Sequence, residues 1–214
     1  MDLPLGKDRP SQAERQAVDA VLGAPASGWD GGERRAEVDG HAATGGHEVR
    51  ERRHLLLPAL QAVQARAGWL SPGARNYVCQ RLSVPPAEAY GVATFYALLS
   101  LDPRPPAVVH VCDDIACRVR GAEALCGELE RALGPAGSNG RDHRTMWLRS
   151  PCLGLCERAP GVLVTLAGER PVERSLAPAS CAGVIEALAG RAVEAPPAAP
   201  IPQFGEPGLR LLRR

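Results

Sequence analysis

The apolar positions fall into two regimes. From about Glu48, Leu56, Leu60, Val63 and Ala67 recur at helical spacing, with Pro58 confined to the first turn and Gly68 as the stop. Ser71-Pro72, an N-cap followed by proline at the first helical position, opens a second helix with Ala74, Tyr77, Val78 and Leu82 on its apolar face. Pro85-Pro86 opens a third, carrying Ala89, Val92, Tyr96 and Leu99. After the linker Asp102-Pro103-Arg104-Pro105-Pro106 the pattern changes to short strands alternating with helices. Val108 to Val111, Thr145 to Leu148 and Val162 to Leu166 read as strands, and Gly168 to Pro171 turns into a short edge strand. Arg118 to Leu133 reads as one helix with Val119, Ala122, Cys126, Leu129 and Leu133 on a face; Pro178 to Leu188 reads as the last helix, with Cys181, Val184, Ile185 and Leu188 inward. The expected organisation is a disordered arm over 1–47, whose Ser11 to Leu22 is helix-capable, a helical segment over 48–103, an α/β domain over 107–191, and a proline-rich linker with a basic tail over 192–214.

Composition narrows the function classes. Apolar residues make up 45% of the 214, but aromatics only 4%, so the core is built from Ala, Val and Leu. A net charge of +1 with Lys7 as the single lysine offers no basic face for polyphosphate, and nucleic acid is not an expected partner. The sequence shows neither a membrane-spanning run nor a secretory signal, so a cytosolic protein is expected. Seven cysteines is an odd count that disfavours a complete disulfide framework and directs attention to metal or redox chemistry.

Four of those cysteines lie in loops at strand ends: Cys112 and Cys117 as Cys-x4-Cys after the first strand, Cys152 and Cys156 as Cys-x3-Cys after the second. Two loops leaving one end of a sheet can bring four thiolates around a 2Fe-2S core. Zinc is the chemical rival, although its structural sites usually contain a Cys-x2-Cys knuckle, which neither pair has. Cys117, placed at the start of the helix from Arg118, is expected to gain from the helix dipole, with Arg118 and Arg120 adding positive charge; Gly154 permits close backbone approach. Cys79, Cys126 and Cys181 fall in or beside apolar helix stripes and are assigned to packing. Phe95 and Tyr96 are read as core of the helical segment, and His110 as structural.

At these residues the sequence resembles a known family. Val111 to Gly121 (VCDDIACRVRG) with Pro151 to Pro160 (PCLGLCERAP) is similar to the thioredoxin-like 2Fe-2S subunit of the NADH-oxidising module of respiratory complex I. The helical half agrees through Leu57-Pro58-Ala59-Leu60-Gln61, Gly68-Trp69-Leu70-Ser71, Val84-Pro85 and Tyr90-Gly91-Val92-Ala93-Thr94-Phe95-Tyr96, so the resemblance covers about residues 48 to 190. Related subunits occur in NAD-reducing hydrogenases and NAD-dependent formate dehydrogenases.

The resemblance implies an α/β fold in which a three-helix N-terminal segment precedes a thioredoxin-like 2Fe-2S ferredoxin domain. It implies that Cys112, Cys117, Cys152 and Cys156 ligate the cluster and that a partner flavoprotein carries FMN and the NADH site. The chain itself has no Gly-rich phosphate loop, and no NADH oxidation is expected from it alone. The cluster would hold single electrons exchanged with FMN, within a complex that is cytoplasmic or peripheral on the cytoplasmic face of the inner membrane. A subunit of an NAD-reducing hydrogenase or NAD-dependent formate dehydrogenase, or a free-standing ferredoxin of the same fold, is the alternative. Asp113 and Asp114 depart from the family's usual first ligand loop; near a cluster they would lower its potential, whereas facing water they would cap a turn. The last ten residues, Gly205 to Arg214, resemble the start of the flavoprotein that normally pairs with such a chain, as in one end of a fusion.

Overall fold

The computed structural model describes residues 5–25, 28–29, 51–140 and 143–191. Helices α1 (Gln12–Leu22), α2 (Leu56–Ala67), α3 (Pro72–Leu82) and α4 (Pro86–Phe95) come first. The α/β half follows as β1 (Ala107–Cys112), α5 (Ile115–Val119), α6 (Ala122–Leu133), β2 (Thr145–Ser150), β3 (Val162–Leu166), β4 (Val172–Leu176) and α7 (Cys181–Leu188). The three expected helices stand where their caps place them: Pro58 lies in the first turn of α2, Gly68 ends it in the left-handed region, and the Ser71 hydroxyl accepts from Ala74 N–H.

The arm expectation fails for α1. Ser11 and Glu14 form a reciprocal capping box, and Val18 and Leu22 join a core that includes Leu60, Val63, Tyr77 and Leu82. Polar ties fix the packing: Tyr77 Oη donates to Asp19 at 2.7 Å, Arg81 pairs with Asp19, and Trp29 stacks on Tyr77. Residues 30–47 of the expected arm, and the tail with its resemblance to a flavoprotein, lie outside the described residues.

The sheet has order β2-β1-β3-β4, with β1 parallel to β2 and antiparallel to β3, and β3 antiparallel to β4. One face carries Val109, Val111, Trp147, Val162 and Val164 against Leu125, Leu129, Val184 and Ala187 of α6 and α7. Trp147 Nε1 donates to the Gly134 carbonyl, satisfying the one polar group in that core's largest side chain. The other face, with Val108, His110, Leu163 and Thr165, looks toward α2 and the chain after α4 across a cavity of about 420 Å³. Burial, helped by the charge of Arg104, pushes the His110 imidazole down to about 4, so it is neutral near pH 7. The halves are joined by Gly168 N–H donating to Ala65 O at 3.1 Å and by the Arg66–Glu169 ion pair at 3.4 Å. No helix among the described residues is long and apolar enough to cross a membrane.

Two expectations about α-helical residues change. The helix expected over Arg118 to Leu133 is broken by Gly121 (φ 94°), which separates α5 from α6 and leaves Val119 80% exposed. Phe95 and Tyr96 are not core: α4 ends at Phe95, and the two rings meet edge-on at the surface, 80% and 41% exposed.

Candidate metal centre

Because β1 and β2 are parallel neighbours, with Cys112 in register with Ser150, the loops that follow them leave the sheet at the same end. Cys112 closes β1. Its N–H donates to Gly161 O at 3.0 Å, and the next N–H, of Asp113, donates to Ser150 O at 3.2 Å. These bonds extend the ladder to the mouth of the first loop and fix where the Cys112 side chain emerges.

Cys117 lies within α5, deeper than the start of the helix that its sequence position suggests. The α5 N-terminus is occupied by its own cap, Asp114, whose carboxylate accepts from Ile115 N–H at 2.8 Å. The N–H aimed at Cys117 comes instead from Gly161, 3.4 Å from Sγ. Gly161 therefore accepts from Cys112 and donates to Cys117 at once, a role that cysteine spacing does not reveal. Close packing is its signature, since a Cβ there would lie 3.1 Å from Leu155 Cβ. In the second loop Gly154 adopts φ 77°, and its N–H lies 3.4 Å from Cys152 Sγ. That is the backbone approach expected of it.

All four predicted cysteines line one open cavity of about 450 Å³, together with Asp114, Ile115, Val119 and Arg120. Cys112 and Cys117 are buried on its inner side, Cys152 and Cys156 exposed on its outer side, with the latter two sulfurs 3.3 Å apart. Burial pushes the Cys117 thiol up, the Gly161 N–H opposes this, and neighbouring Cys112 and Cys156 add to the rise. Cys156 is pushed up chiefly by its contact with Cys152. Thiols that raise one another in this way are a site in need of positive charge, because a bound metal stabilises all the thiolates together. Among the described residues no three His, Cys, Asp or Glu side chains converge on one ion position. The sulfurs are spread as two pairs.

A ring of charge flanks this cavity. Arg149, at the end of β2, donates two hydrogen bonds to Glu123 at 2.7 and 2.8 Å and one to Asp113 at 3.2 Å; Arg118 stands 4.0 Å from Asp113. Cys79 and Cys126 are buried in the two hydrophobic cores, and Cys181 packs at the edge of the second, as their helix positions suggest.

The sequence pattern of the thioredoxin-like 2Fe-2S ferredoxins matches residues 43–189, both the helical and the α/β part. The chain belongs to this family. Among curated relatives of this ferredoxin, the E-type subunit of the NADH-quinone oxidoreductase of Pseudomonas aeruginosa is 33% identical over 119 residues, which is 55% of this chain and 72% of that protein. Its counterpart in Escherichia coli strain K12 is 30% identical over the same length and shares. Among solved structures, an NAD+-reducing NiFe hydrogenase in the air-oxidized state is 25% identical over 65% of this chain, with a TM-score of 0.48; the similar region spans 23% of the hydrogenase chain.

Proposed function

We propose that this ferredoxin is the electron-transfer subunit of an NADH-oxidising flavoprotein module, of the kind found in NADH-quinone oxidoreductase, and that Cys112, Cys117, Cys152 and Cys156 hold one 2Fe-2S cluster. The observation that carries the reading is the meeting of two cysteine pairs, from two parallel strand ends, around one cavity. Two pairs suit a two-iron core with two thiolates on each iron, whereas structural zinc closes four ligands on one ion. The similarity to the NADH-quinone oxidoreductase subunits supplies the setting.

A bound cluster supplies a one-electron couple. The protein's own contribution is to hold and tune it: Gly161 and Gly154 present N–H groups to Cys117 and Cys152 sulfur, and such donors stabilise the more negative, reduced state. The buried inner pair anchors the site in the domain, and the exposed outer pair sets it at the surface, where a partner's redox centre can approach. FMN and NADH belong to that partner, and single electrons pass between its flavin and this chain.

Anaerobically purified protein, assayed for iron and labile sulfide and examined by low-temperature EPR before and after dithionite, tests the reading. Two irons and two sulfides per chain, with a signal appearing on reduction, are expected. Stoichiometric zinc with EPR silence in both states would overturn it.

A further inference from the structure

Gly161 stands where the two cysteine loops meet, and it is not there for the left-handed conformation that Gly154 adopts, since its own φ is negative. What it supplies is space. A Cβ at this position would lie 3.1 Å from Leu155 Cβ and 3.4 Å from Leu155 Cδ1, so that Leu155 would have to give by a few tenths of an ångström. Side-chain rotation can carry Cδ1 away, but Cβ is fixed to the backbone, and only the backbone of residue 155 can move it.

The two sides of this contact differ in how firmly they are held. On the Gly161 side, Val162 pairs with Val111 of β1 and with Leu176 of β4, Pro160 O accepts from Ala179 N–H at 2.8 Å, and Gly161 O accepts from Cys112 N–H at 3.0 Å. On the other side, Leu155 is half-buried in the outer loop, next to Cys156. Its carbonyl accepts from Arg158 N–H at 3.1 Å and so closes the 3-10 turn Cys156–Arg158. A push on Leu155 Cβ therefore displaces that turn, with Cys156 at its start, away from Gly161. Cys117 stays behind, because its sulfur takes the Gly161 N–H at 3.4 Å.

We infer that Gly161 is the positioning residue that sets the separation of the two cysteine pairs, by letting Leu155 seat directly on the end of β3. The inference rests on the assignment of these cysteines to one cluster and adds what spaces them. Ligands of such a site must be held within about 0.5 Å of their working geometry, so a displacement of a few tenths of an ångström at one pair is felt by the whole set.

The test takes anaerobic, cluster-loaded protein, follows the bleaching of its visible absorption in excess EDTA, and records low-temperature EPR after dithionite. Gly161→Ala should shorten the half-time of bleaching about fivefold or more and shift the EPR g values. The substitution keeps the N–H, so loss of that donor does not enter. In a Leu155→Gly chain, which has no Cβ to be met, Gly161→Ala should change the half-time less than about twofold; in a Leu155→Ala chain, which keeps the Cβ, the loss of about fivefold should return. Folding of Gly161→Ala only together with Leu155→Gly would show the same contact. Native bleaching and EPR in Gly161→Ala, or equal effects of that substitution in the Leu155→Gly and Leu155→Ala chains, would overturn the inference. So would a Gly161→Ala chain that fails to fold even beside Leu155→Gly, because the obstacle would then lie elsewhere. Native protein without iron and sulfide would instead overturn the cluster assignment, and this inference with it.

Discussion

Asp113 and Asp114 are adjacent between Cys112 and Cys117, yet their charges are held differently. Asp114 is the cap of α5 and lines the cysteine cavity, while Asp113 turns away to the Arg149–Glu123 pair. The capping role is seen at Asp114, whereas Asp113 does not cap the turn and is paired with arginine. Arg149→Gln is expected to lower the midpoint of a bound cluster by roughly 20–60 mV at low salt, since it leaves two carboxylates without their cation. Asp113→Asn should move it the other way by less, and both shifts should shrink as salt is raised. Redox titration by EPR of the two variants checks this.

Cysteine chemistry separates the seven residues further. Burial pushes the Cys79 thiol up to about 12, which leaves almost no thiolate near neutral pH. After iron is chelated from unfolded protein and the chain refolded, a brief pulse of iodoacetamide should label the exposed Cys152 and Cys156 first, and Cys79 only in denaturant. Mass spectrometry of the pulse gives the order. Labelling of Cys79 in folded protein would mean that the helical core is not packed as described.

Among the elements, α1 shows what was legible in the sequence and what was not. The caps and apolar repeats of α2 to α4 are local signals, and the short, nearly continuous apolar runs of β1 and β3 mark strands covered on both faces. The capping box at Ser11 and Glu14 was equally local, but the long Gly- and charge-rich stretch after Leu22 masked it, and membership of a core is a tertiary property. Tyr77 and Arg81 of α3 supply that property through Asp19. Four cysteines with strand-end spacing were visible for the same reason as the strands. Gly161 was not, because its role arises only when β3 folds back beside β1. Likewise Tyr96 continues an apolar stripe in sequence, yet α4 ends at Phe95 and both rings are left at the surface.

The segment before α1 is also held by tertiary contacts. Gly6 N–H donates to Asn76 Oδ1 and Asn76 donates to Asp8 O, each at 3.3 Å, so the chain is laid across the start of α3. A Cβ on Gly73 would lie 2.0 Å from Arg9 O, and only glycine lets that backbone pass. Gly73→Ala is expected to cost about 1–3 kcal/mol in urea unfolding, with faster tryptic cleavage at Lys7. Val18→Ala, a buried truncation in α1, should cost about 2 kcal/mol. A freely moving α1 would give neither effect.

At the scale of the molecule, the rim of the cysteine cavity carries exposed aliphatic side chains among its charged ones, where a lone domain would favour polar groups throughout. Ile115 and Val119, four residues apart on α5 and each 80% exposed, border the cavity beside the outer cysteines. Exposed aliphatic groups beside a redox site suit a face that a partner covers, since they exclude water from the gap without needing exact charge matching. Val119→Glu should change stability by no more than about 0.5 kcal/mol, because the side chain packs against nothing that unfolding would expose. Its iron content and its reduction by dithionite should match the native protein, for dithionite needs no docking face. Reduction through a flavoprotein partner with NADH should instead slow at least about tenfold, because a carboxylate at the covered face must be desolvated there. Stopped-flow traces with the two reductants separate the steps, and equal slowing with both would place the effect in the cluster's own environment and not in docking.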